Sequence, residues 1–206
     1  MIEKITSLLR DKSNYQFDVE NGTFDVNEEC VFNRIKEWHI TENRSFDYTH
    51  DMDEGCIKYV IGEVLGTLII SEEVIELDMV NHRIEIFHYG DLESSNKPSP
   101  ISIERVSDVI SGECTSIKLK QSASQMACLA RYLGLMIGDL IPKNNKPWKL
   151  YRISRKIIGL LSSPSYTETS KLIFGDYIRD YIDLYIELYD FLTPKFHFLL
   201  HYIRIK

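Results

Sequence analysis

The sequence predicts a mainly α-helical fold: a helical domain of about six helices over residues 46–206, behind a partly irregular or extended segment over residues 1–45. Three observations carry this. Ile57, Val60, Ile61, Val64, Leu65, Leu68 and Ile69 recur at steps of three and one, the spacing of one face of a helix. Met126, Leu129, Ala130, Leu133, Met136, Ile137 and Leu140 repeat that spacing and run into Ile141-Pro142, a helix stop. Pro147 and Pro194 then stand just inside the start of further periodic runs, where the missing N–H of proline costs nothing.

Taken in order, residues 1–12 place Ile2, Ile5, Leu8 and Leu9 on one side of a short helix. Asp11 to Glu29 is a polar stretch with the turn pair Asn21-Gly22. Cys30–Ile35 and Phe46–Tyr48 read as short extended pieces. The helix from Asp51 is expected to start on a capping box, Asp51 with Glu54 three residues on. A second helix covers Glu73 to Phe87, and Gly90, Pro98 and Pro100 make 88–103 a loop. Ser122 or Ser124 caps the Met126 helix, and Pro147 opens the next, with Trp148, Leu150, Ile153, Ile157 and Leu161 inward. Thr167 or Thr169 starts a long helix reaching about Leu192, with Ile178, Tyr181, Tyr185 and Leu188 buried. Thr193 as N-cap and Pro194 as first residue begin the last.

With 44% apolar and 27% charged residues, the composition is that of a globular protein. No apolar run approaches the roughly 18 residues of a membrane span, and Met1-Ile2-Glu3-Lys4 does not open a secretory signal, so the expected compartment is nuclear or cytoplasmic. Cys30, Cys56, Cys114 and Cys128 are scattered, without a Cys-x-x-Cys pair, and Cys56 and Cys128 fit as small core residues. Net charge is −7, unevenly spread: residues 1–100 hold 9 basic against 21 acidic side chains, residues 101–206 hold 15 against 10. A net negative chain is a poor tight, sequence-blind DNA binder as a whole, but such asymmetry lets one half approach nucleic acid.

Four constellations bear on function. His197 and His201 share one face of the terminal helix; the pair suits a divalent metal or a phosphate, or else two neutral core imidazoles. His50 and Glu54 have the same spacing, and Glu54 extrapolates onto the apolar stripe, where an inward carboxylate needs a partner such as His50, His197 or His201. Against that polar cluster stands the simpler role of Asp51 and Glu54 as helix caps. Lys146, Lys149, Arg152 and Arg155 recur every three residues, with Lys143 and Lys156 beside them: a phosphate-facing edge, or a solvated helix face. Tyr177, Tyr181, Tyr185 and Tyr189 recur every fourth residue, as a base-stacking surface or, more simply, as helix packing with hydroxyls at the rim.

Several short segments form an ordered set. They are Asp47-x-x-His50-Asp51-x-x-Glu54-Gly55, His88-Tyr89-Gly90-Asp91, Ser95-Asn96-Lys97-Pro98, Ser122-Ala123-Ser124-Gln125-Met126, Gly138-Asp139-Leu140, Thr193-Pro194-Lys195-Phe196-His197 and His201-Tyr202. The set resembles the C-terminal part of transposon-derived proteins of insect type, related to CACTA-like cut-and-paste transposases, from about Cys30 to the end. The resemblance implies an RNase H-like DDE transposase, whose three acids hold Mg or Mn ions for strand cleavage and joining. Glu54 is the best match for the last of those acids, with Asp47 and Asp51 as weaker candidates, and Glu54 with His50 as the implied metal ligands. The sequence departs from the pattern at Thr49, at Asp53 and at Ile203, where the family shows two apolar residues and a proline. About fifty residues before Glu54 are too few for the strands that carry the first two aspartates.

The expectation is therefore a truncated transposase-like chain, its first 45 residues a remnant of the RNase H-like core, without a complete triad and without catalysis of its own. Residual DNA binding would run through Lys143–Lys156. The alternative is a non-catalytic module whose acidic half binds a basic protein, and a third reading is a metal-dependent hydrolase built from Asp47, His50, Glu54, His197 and His201.

Overall fold

The computed structural model describes residues 10–23, 26–43, 47–102, 117–165, 167–190, 192 and 195–205, the last stretch with backbone alone at 195, 197 and 203–205. The chain forms two compact units, Met1–Asp47 and Tyr48–Lys206. The fold is mainly α-helical, and among the described residues no strand is present.

In the first unit, the stretch Asp11 to Glu29 holds a helix, α1 (Lys12–Asn21), where only a polar segment with a turn is predicted. Its faces are polar nearly all round, so no apolar period announces it. Its caps hold it instead: Asp11 accepts from the Asn14 N–H while Asn14 returns a bond to the Asp11 N–H, and Gly22 at φ +62° closes the other end. Asn21-Gly22 is thus a helix terminus. Val31–Arg34 forms a 3-10 turn instead of an extended piece, and the Tyr15 hydroxyl accepts from the Cys30 N–H at 2.8 Å. The helix expected over residues 1–12 lies almost wholly outside the described residues, as do Phe46, Thr193 and Pro194.

The second unit is built around α2 (Ile57–Gly66), which is buried on nearly every side. A wide π-helical turn, Thr49–Cys56, leads into it, and another, Thr67–Ser71, follows, where the Thr67 hydroxyl donates to the Glu63 carbonyl at 2.9 Å. After α3 (Leu77–Ile86) and the short α4 (Gly90–Glu93), α5 (Ala123–Ile137) and α6 (Lys146–Leu161) pack on this axis. Helix α3 packs on α5, α7 (Glu168–Tyr189) on α6, and α8 (Lys195–Ile205) on α7 and the first wide turn. Val60, Ile61, Val64, Leu65 and Leu68 are fully buried, as is Cys56 with Cys128 nearly so. The Ser122–Gln125 capping box opens α5, and Asn145 caps α6 with Pro147 in its first turn. Thr167 caps α7. That helix ends at Tyr189, short of Leu192, because Asp190 turns left-handed at φ +56°.

The helix expected to start at an Asp51–Glu54 capping box starts earlier, since Tyr48 and Thr49 already coil, and neither acid caps it. Gly55, at φ −101° and ψ −112°, breaks the regular geometry between the wide turn and α2. The terminal helix α8 is not buried on every side: Phe196, Leu199, His201 and Tyr202 are buried while Phe198 is exposed.

Helices α5 and α6 are joined by a single hydroxyl. The Tyr151 O–H donates to the Ala130 carbonyl at 3.0 Å and accepts from the Gly134 N–H at 2.8 Å. A helix ordinarily pairs that carbonyl and N–H directly. Gly134 makes the approach possible, since a Cβ there would meet the Tyr151 hydroxyl at 3.3 Å. Burial pushes the Tyr151 phenol up to about 12. Tyr151→Phe is expected to cost about 1 kcal/mol in thermal unfolding, since α5 can close its own bond once the hydroxyl is gone. An unchanged midpoint would show the bridge contributes nothing.

Candidate functional site

The wide turn Thr49–Cys56 redistributes the acids that sequence reasoning placed there. Glu54, expected to point inward, is 46% exposed and meets His50 Nε2 at 3.6 Å, with His50 itself 65% exposed. Asp47 is exposed and ends the first unit. The buried carboxylates are Asp51 and Asp53. The periodicity of α2 cannot be extended backwards through this segment, because π geometry and the break at Gly55 shift which residues face in. Asp53 was not a candidate. Its one signal was the apolar residue that the transposase resemblance implies at that position.

An open cleft of about 290 Å³ is lined by Tyr48, Leu161, Ser162 and Tyr202; Asp51 is bonded to Tyr202, and the Asp53 charge acts on Tyr48. Tyr202, from α8, donates its hydroxyl to Asp51 Oδ2 at 3.2 Å. The terminal segment and the 47–54 segment therefore do meet, but through a tyrosine and an aspartate. Burial raises the Tyr202 phenol above its ordinary value, and the neighbouring Asp51 charge adds to the rise. Burial likewise raises Tyr48, Asp53 adds to it, and a hydrogen bond with Ser162 works the other way. Asp53 itself is pushed up to about 6 by burial; Arg131 opposes this and Glu54 reinforces it. His201 is buried, and the His197 side chain lies outside the described residues.

These residues do not fit the Mg or Mn that the transposase resemblance implies. Among the described residues no three of His, Cys, Asp and Glu gather as a metal site. Asp51 accepts from the Tyr202 hydroxyl, and no described His, Cys or Glu completes a ligand set with Asp51 and Asp53. Glu54 and His50 face solvent, where they do not join the buried pair.

The other segments of the ordered set turn out to be joints. Gln125 donates to the Lys97 carbonyl at 3.2 Å and to the Ser99 hydroxyl at 3.1 Å. Gln121 pairs with both backbone groups of Ser99, and Asn81 with both of Ile101, so two side-chain amides clamp the extended stretch 97–101. Tyr89 donates to the Ile84 carbonyl at 2.9 Å, Glu93 ion-pairs with Arg131, and Asp139 pairs with Arg83 at 3.1 Å. Gly138 lies against the Trp148 ring, 3.5 Å from where a Cβ would stand, an ordinary contact distance. A cleft of about 420 Å³ opens between α3 and the clamped stretch, with Asp78, His82, Glu85 and Lys97 on its rim. Sequence reasoning had no signal for it, since it needs residues from both segments.

The basic stripe lies on α6 as expected, but α7 divides it. Residues three apart step back by about 60° around a helix, so a stripe at that spacing winds away from any one face. Lys143, Lys146, Lys149, Arg152 and Lys156 are exposed, while Arg155 is half-buried and its charge acts on Tyr48 and Tyr151. Lys146 Nζ pairs with Glu187 of α7 and, with Lys149 adding, holds that carboxyl below its ordinary range. Lys149, Arg152 and Lys156 line a notch of about 220 Å³ with Ile153, Tyr177 and Asp180. Lys156 Nζ lies 4.8 Å over the Tyr177 ring. Of the four tyrosines of α7, Tyr181 and Tyr185 are core, Tyr189 meets the Thr67 hydroxyl at 3.5 Å, and Tyr177 forms a wall of the notch.

No helix among the described residues is long and apolar enough to cross a membrane. Comparison with protein-family models, with curated proteins and with solved structures finds no match to this chain.

Proposed function

We propose that the second unit is a non-catalytic nucleic-acid-binding module of transposase type, contacting phosphates through the α6 edge. The observation that carries this is the notch in which Lys149, Arg152 and Lys156 converge, none of them in an ion pair with a described residue. Arg and Lys heads held at one place are what phosphate recognition needs. The net charge of −7 disfavours tight binding by the chain as a whole, but charges beyond about 8 Å are largely screened at physiological ionic strength, which leaves a local site able to act. The transposase part of the reading rests on the ordered segments quoted above, and no catalytic step is part of the proposal.

Fluorescence anisotropy on labelled duplex DNA tests it. Three neutralised phosphates predict a slope of about −2.7 in log affinity against log salt. Reversing two charges, Lys149→Glu with Arg152→Glu, is expected to weaken binding at least about tenfold at low salt. Binding that ignores salt, or that survives both reversals, removes the proposal.

A second reading, a protein-interaction module, draws on the first unit. Val31, Phe32 and Ile35 stand more than half exposed on the 3-10 turn of an acidic segment, a small apolar patch suited to a partner with a basic rim. Pulldown at low and at moderate salt separates the two readings by whether DNA or protein is retained.

A further inference from the structure

We infer that the notch between α6 and α7 takes the terminal phosphate of a nucleic-acid strand, in preference to phosphates in its interior. The inference rests on the nucleic-acid reading above and narrows it to a chemical group.

Charge balance is the first argument. Lys149, Arg152 and Lys156 bring three positive charges to the notch, and Asp180 on its rim brings one negative. The balance suits a group carrying close to two negative charges. A phosphate monoester at a strand end carries about −1.5 to −2 near neutral pH, whereas each interior diester carries a single charge.

Size and surroundings agree. At about 220 Å³ the notch is smaller than the roughly 300–1,000 Å³ of sites for drug-sized ligands. It holds a phosphate with part of its sugar. Asp176, Asp180, Asp183 and Glu187 follow one another at steps of four, three and four, which places them along one face of α7. All four are exposed, Asp176 paired with Arg179 at 3.3 Å and Glu187 with Lys146, so Asp180 and Asp183 carry most of the repulsion. A strand continuing along the groove from a phosphate seated in the notch would carry its next phosphates past this row. A strand that ends in the notch meets the row on one side at most. Lys146, the cation that would extend the basic edge towards Glu187, is already paired with it.

The notch is also organised before a ligand arrives. Ile153 forms its apolar floor, and Tyr177 holds the Lys156 ammonium over its ring at 4.8 Å. Arg152 supplies the planar fork that grips two oxygens of one phosphate.

The test uses the full chain and one short single-stranded oligonucleotide in three forms, labelled internally: 5′-phosphorylated, 3′-phosphorylated, and with hydroxyls at both ends. Anisotropy at low salt is expected to show one phosphorylated form binding at least about tenfold tighter than the form without a terminal phosphate. Inorganic phosphate should erase that difference, and Lys149→Glu should abolish it. Asp180→Asn, which removes the negative charge from the rim, should narrow the difference by strengthening binding of the hydroxyl-ended form. If all three forms bind alike, with salt dependence and loss on Lys149→Glu, the nucleic-acid reading stands and the end-specific inference is overturned. If a phosphate preference survives Lys149→Glu with Arg152→Glu, the site lies elsewhere and the inference is overturned too. If no form binds, both readings fall. Circular dichroism of each variant checks the fold; these are exposed residues, so no loss of helix is expected.

Discussion

Phe196→Ala is expected to lower the unfolding free energy by about 3–5 kcal/mol. Phe196 is almost wholly buried, with its ring centroid 4.5 Å from that of Tyr185 and 5.7 Å from that of Tyr181. Those two tyrosines are themselves core residues of α7, so the three rings form the joint by which α8 is held to the rest of the second unit. Truncation to alanine removes the ring's transfer energy and leaves a cavity that two stiff aromatic neighbours fill poorly. Because a domain's whole stability is about 5–15 kcal/mol, the variant should melt far below the parent. Exchange of amide hydrogens in α8 should rise more than in α2. Hydrogen exchange read by segment checks this. Equal protection of α8 in both proteins would mean that Leu199 and the Tyr202–Asp51 bond hold the helix without Phe196.

Asp53→Asn is expected to stabilise the protein at neutral pH and to leave it unchanged in acid. Burial lifts the Asp53 carboxyl from its ordinary 3.8 to about 6, with Arg131 only partly offsetting and Glu54 adding to the rise. The folded state thus holds a proton that the unfolded chain has released. Between about pH 4 and pH 6 the unfolded state binds fewer protons than the folded one, so wild-type stability falls as pH rises through that window. Above it the loss is constant. The shift converts to about 1–3 kcal/mol at pH 7. The amide, which never ionises, escapes that loss. Denaturant unfolding of both proteins from pH 4 to pH 7.5 checks it: the gap should open across that window. A gap of constant size would show that Asp53 is charged throughout, and a variant less stable at pH 7 would show that the attraction of the Arg131 charge outweighs its burial.

Helix periods were legible because they are local. The α2 stripe, the Ser122–Gln125 capping box, Pro147 at the head of α6 and Thr167 at the head of α7 can each be read from neighbours within one or two turns. Helix α1 escaped because its stability lies in caps and in the Arg10–Asp18 and Thr23–Asp18 contacts, with no apolar face to show a period. Extrapolation also failed at Glu54. A helical wheel assumes one pitch, and the wide turn before α2 changes the pitch where the acids sit.

What the sequence alone determined is the class of the fold, the helices with an apolar stripe, and where the positive charge accumulates, since those follow from residue order along a helix. The tertiary structure decided which acids are buried and which charges are used. Tyr202 reaches Asp51 from 151 positions away, and Glu187 takes Lys146 from 41 away. Arg155 turns from the stripe towards Tyr48 while Lys149, Arg152 and Lys156 remain around one notch. Burial and charge pairing depend on distance through space, and chain order leaves that distance open until the helices pack.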